Sequence, residues 1–88
     1  MSPELETLDQ LLGGDLPLTL IRGLFNDKER FVHAVVAMLD ADELQLLKPD
    51  EMEVPRWLWR AVLNEASGLP AENDYRLSIT EVGARRIA

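Results

Sequence analysis

Apolar residues recur along this chain at two different periods, and the change of period divides it into elements. Leu5, Leu8 and Leu12 fall on one helical face at about 100° per residue. Ser2 ahead of them is a capping residue, and Pro3 suits a first helical position, where its missing N–H costs nothing. Gly13-Gly14 ends this helix, one glycine being suited to the left-handed position beyond a helix end. Asp15 then caps a second helix predicted over 16–25, with Pro17 still in its first turn and Gly23 weakening its last. A third helix follows. Asn26 and Glu29 have the spacing of a capping box, and Asp27 adds negative charge at the helix start. Phe31, Val32, Val35, Val36, Met38 and Leu39 cover a wide apolar arc, leaving Glu29, Arg30, His33, Ala37 and Asp40 opposite. That breadth predicts a helix seated in the core.

The period then shortens. Glu43-Leu44-Gln45-Leu46-Leu47, ended by Lys48-Pro49-Asp50, predicts a short strand. Residues 55–66 predict a fourth helix, opened by Pro55 and closed by Ser67-Gly68. Trp57, Trp59, Ala61 and Leu63 also alternate as in a strand, but twelve residues without a breaker favour helix. Residues 69–74 have loop composition, and Tyr75-Arg76-Leu77-Ser78-Ile79 alternates as a strand. Thr80 caps a final helical turn running to Ile87, with Arg85 and Arg86 placed to complement its C-terminal dipole. The fold class expected is mainly α, of the α+β kind. Three N-terminal helices precede a short two-stranded sheet with an inserted helix, and a short C-terminal helix closes a single domain over 1–88.

This order resembles the winged-helix family. Leu8-Asp9-Gln10-Leu11-Leu12-Gly13-Gly14 looks like a first helix and its turn, residues 26–39 like the helix in the recognition position, and Asp42-Glu43-Leu44-Gln45-Leu46-Leu47 like a first wing strand. Ile79-Thr80-Glu81-Val82-Gly83, with Tyr75 ahead of it, is similar to the leucine-threonine-x-x-glycine ending of winged-helix transcription regulators. Physically, such an ending turns an apolar strand end into the core, caps the next helix with threonine, and lets backbone approach closely at glycine. The resemblance implies DNA binding by the third helix. The sequence departs from the pattern where some 25 residues stand between the wing strands, and where Glu29 and Asp40 share the third helix's outer face with Arg30 and His33.

Charge sharpens that departure. The 88-residue chain carries −7, with −4 in residues 1–15 and −5 in residues 40–53, while 16–39 and 54–88 are each +1. Such a balance repels phosphate backbones and anionic lipid, and the acidic stretch 40–53 is suited to steering a basic partner. There is no cysteine, which excludes disulfides and thiolate metal sites. A hydrophobic fraction of 47% argues for a folded chain. Carboxylates recur through the first twelve residues, unlike a signal peptide, and no apolar run approaches the ~20 residues of a membrane span. A cytoplasmic location is expected.

The candidate chemistry is sparse. His33, the only histidine, lies one turn after Glu29, and Asp40 is the one further ligand available on that face; a solvated His–Glu pair is the stronger expectation. No nucleophile motif or phosphate-cradling glycine loop occurs, so no catalytic residue, cofactor, metal or small-molecule substrate is expected. The most unusual stretch is Glu53-Val54-Pro55-Arg56-Trp57-Leu58-Trp59-Arg60. In a helix, Trp57 and Trp59 point about 160° apart, so that one enters the core and the other does not. Tryptophan flanked by arginine has the composition of an interaction hot spot. The alternative is that the segment 69–74 folds over it. Acidic neighbours and few cations make it a poor membrane-surface helix. The expectation is therefore a non-enzymatic protein-interaction or self-association module, with Arg56, Trp57, Trp59 and Arg60 as partner-binding residues. The competing class is a dimeric DNA-binding transcriptional regulator contacting nucleic acid through Arg22, Lys28, Arg30 and His33.

Overall fold

Side-chain caps begin three of the five α-helices among the described residues, two of them at the residue the sequence indicates. In the computed structural model, which describes residues 2–65 and 75–87, α1 spans Pro3–Leu11, and the Ser2 hydroxyl accepts from the Leu5 N–H at 3.2 Å. Helix α3, Lys28–Asp40, is capped by Asp27, whose carboxylate accepts from the Arg30 N–H at 2.8 Å. The expected cap at Asn26 is thus displaced by one residue. Both side chains are good caps, but the charged one also meets the positive end of the helix dipole. Helix α5, Glu81–Arg86, is capped by Thr80, which accepts from the Gly83 N–H at 3.1 Å.

The second helix departs from expectation. Leu16–Pro17 form a strand, β1, and α2 covers only Leu18–Arg22, with Pro17 at its N-cap and no side-chain cap bond from Asp15 or any other residue. The cause lies far along the chain. Strand β3, Arg76–Ile79, pairs antiparallel with β1 on one side, Leu16 opposite Leu77, and the Leu18 N–H donates to the Tyr75 carbonyl at 3.0 Å. On its other side β3 pairs antiparallel with β2, Leu44–Leu47, with Leu46 also opposite Leu77. The sheet is therefore three-stranded, in the order β1-β3-β2, where two strands were expected.

Strand β2 turns back on itself. Glu51, at φ 70°, closes a turn in which its N–H donates to the Lys48 carbonyl and Lys48 donates to Met52, each at 2.8 Å. The return strand reaches as far as Val54, which donates to Leu46 at 2.9 Å, and bridges Leu47 with Glu53. This hairpin covers the outer edge of β2 and ends in an exposed acidic tip. Covering and charging an edge in this way discourages further strand addition. Beyond it, Arg56–Leu58 form a 3-10 turn leading into α4, Trp59–Glu65. The single helix expected over 55–66 is thus two pieces, and its last residue, its Ser67-Gly68 stop and the 69–74 loop lie outside the described residues.

The core is built from α1, α2, α3, α4 and one face of the sheet. Leu8, Leu11, Leu18, Ile21, Phe31, Val35, Leu46, Leu63 and Leu77 are all essentially inaccessible to solvent. Leu12 is a correction: it sits at the α1 C-cap and is 54% exposed, while Leu11 and Thr7 face inward. The helix ends before Leu12 completes the predicted face. In α3 the predicted arc holds, with Ala34 added to the buried set and Val36 at its margin. Among the described residues no helix is long and apolar enough to cross a membrane.

Candidate functional site

The two tryptophans divide as their offset predicts. Val54 is buried, and its carbonyl accepts from Trp59 Nε1 at 3.1 Å, which satisfies the indole N–H and holds that ring against the core. Trp57, in the 3-10 turn, points the other way and is 80% exposed. Arg56 lies between an ion pair with Asp40, at the end of α3, and the Trp59 ring, whose centroid is 5.5 Å from its guanidinium carbon. The ion pair is solvent-exposed on both sides and contributes little to stability. Its effect is to orient the guanidinium beside the indole.

These residues line one open groove. Val36 forms its apolar floor from α3, and Arg56, Trp57, Trp59 and Arg60 form its walls, enclosing about 550 Å³. All four partner-binding residues expected from the sequence meet there. Arg60 also lines a second, more polar groove of about 630 Å³ with Asp27, Glu29, Arg30, Val32, His33 and Asn64. Val36 and Asp40 were not predicted as members of the site. Their roles follow from packing of α4 on α3, for which the sequence carries no local signal.

The four residues of the nucleic-acid alternative are not equivalent. Lys28, Arg30 and His33 are exposed on α3, but Arg22 is folded inward. Its guanidinium donates to the Phe25 carbonyl at 3.1 Å and stands 6.0 Å from the centroid of the Phe31 ring, which itself makes an edge contact with Phe25. Arg30 lies 3.9 Å from the Glu4 carboxylate of α1. His33 and Glu29 line the polar groove, and among the described residues no cluster of three or more His, Asp or Glu side chains has metal-binding geometry.

A second charged contact joins α5 to the start of β2. Glu43 is buried, and Arg86 Nη1 donates to both its carboxylate oxygens, at 2.7 and 3.0 Å. Its backbone carbonyl accepts from Thr80 N–H at 3.0 Å, and the Thr80 hydroxyl donates to the Asp42 carbonyl. These bonds tie α5 to the turn before β2. Glu43 therefore belongs to the structure of the domain rather than to its acidic surface.

No family model, curated protein or solved structure matches the chain.

Proposed function

We propose that this domain is a winged-helix-like module for protein–protein contact, in which Trp57 is the apolar anchor. The exposure of Trp57 beside two arginines and next to a tryptophan held by the core carries this reading. A large rigid ring on a fixed backbone contributes contact area at low entropic cost, and arginine supplies a polar rim. The winged-helix part is supported by the element order, by the strand order β1-β3-β2, and by the hairpin that extends β2. The close approach at Gly83 supports it further, since a Cβ there would overlap the Glu43 carbonyl oxygen.

DNA binding has weaker support in the same geometry. Arg22 is committed to Phe25 and Phe31, and Arg30 faces Glu4, which leaves few cations on the α2–α3 surface for phosphates.

Single alanine substitutions separate an anchor from a core residue. Trp57→Ala should leave thermal stability within about 0.5 kcal/mol of the parent while abolishing self-association or partner capture, followed by light scattering and affinity capture. Trp59→Ala should cost about 2–3 kcal/mol, measured by denaturant unfolding. Unchanged association after Trp57→Ala, or a large loss of stability from it, contradicts the reading.

A further inference from the structure

We propose that the partner at the Trp57 groove is a second copy of this chain, whose acidic hairpin tip lies against the Arg56–Trp57–Arg60 face while its own groove receives the tip of the first. This rests on the reading of Trp57 as an anchor. Two large apolar side chains on this segment are exposed. Met52, at 63% exposure, and Trp57, at 80%, stand five residues apart on consecutive pieces of chain. Between them Val54 is fixed from both directions, its N–H bonded to Leu46 and its carbonyl to Trp59. The tip and the groove are therefore adjoining stretches of chain whose connecting backbone is held in place.

The exposed charges of the tip and of the groove are opposite in sign. Asp50, Glu51 and Glu53 are exposed around Met52, and Arg60 is exposed beside Trp57. None of these four side chains forms an ion pair among the described residues. An external basic partner would match the tip and be repelled by the arginines. An acidic one would match the arginines and be repelled by the tip. The surface is matched by a partner carrying both signs side by side in the reverse order, and a second copy related by a two-fold axis presents that arrangement. In such an isologous contact each tip meets the other's groove, so one complementary pair of patches is used twice.

The size of the surface sets the strength. Two tryptophans at about 200 Å² each, with two methionines, supply less than the ~1,200 Å² at the lower end of stable interfaces. The pairing is therefore concentration-dependent and weakened by salt.

A charge-swap experiment tests it. Sedimentation equilibrium over a concentration series should show the parent rising from one chain mass towards two, less so as salt is raised. Arg60→Glu and Glu53→Arg should each weaken pairing at least about tenfold, with unchanged circular dichroism and melting because both positions are exposed. An equimolar mixture of the two variants should regain the parent's association, since each groove in the mixed pair then meets a tip of opposite sign. Trp57→Ala should remain monomeric. A parent chain that stays monomeric throughout, or a mixture that stays as weak as its components, overturns the proposal. If the parent is monomeric but cross-links to a different protein through position 57, self-pairing fails and the anchor reading stands. If position 57 cross-links to nothing, both fail.

Discussion

Gly83 shows how much one position can decide in a domain of this size. A β-carbon there would overlap the carbonyl oxygen of Glu43 and come within 3.0 Å of the Ile79 side chain, so α5 reaches the sheet only because the residue has none. The obstacle is backbone, which cannot turn aside as a side-chain tip would. Gly83→Ala should therefore destabilise the domain by about 1–3 kcal/mol in denaturant unfolding. A neutral result would mean that α5 is not seated as described. The same site illustrates what is legible at this scale. A threonine three residues before a glycine, after an apolar strand, announces both the cap and the close approach. The carbonyl that the glycine must avoid belongs to a residue 40 positions earlier, and nothing local identifies it. Trp57 and Trp59 are similar. Their two-residue offset dictates that they diverge, but which one enters the core depends on Val54 and on α3.

At the scale of elements, the starts of α1 and α5 were legible, and that of α3 to within one residue, because capping is a contact over three residues; the wide arc of α3 was legible because burial follows its period. The cap of α3 gives a direct check. Asp27→Ala should cost about 1 kcal/mol by thermal or denaturant unfolding, while Asn26→Ala should change stability by only a few tenths, the reverse of what a cap at Asn26 requires. Strand β1 was not legible. Two residues carry no period, and Leu16-Pro17 after an aspartate also suits a helix start. Its extended form is imposed by pairing with β3 at the far end of the chain. The hairpin return at 52–54 was missed for a related reason. Its turn depends on a positive φ at Glu51, stabilised by the bond from the Met52 N–H to the Asp50 carboxylate, and not on glycine. Groove membership likewise required α4 to be placed on α3, which brought Val36 and Asp40 to a segment that sequence alone shows only as Arg-Trp-Leu-Trp-Arg.

For the whole molecule, an acidic chain of 88 residues has ordered its charges unevenly. Glu43 and Arg86 are spent on closing the fold, Asp40 on orienting Arg56, and Arg22 on covering Phe31. The hairpin tip around Met52, and Arg60 near Trp57, are among the exposed charges. That distribution, more than the net charge, directs attention from α3 to the segment between β2 and α4. The central claim is that Trp57 is exposed because another protein chain covers it. A photo-reactive phenylalanine analogue placed at position 57 of the full chain, irradiated in native cell extract, tests this most directly. The expected result is a discrete, saturable adduct with a polypeptide, identifiable by mass spectrometry and competed by excess unmodified chain but not by the Trp57→Ala variant. Absence of any polypeptide adduct, with the labelled chain fully folded, would contradict it.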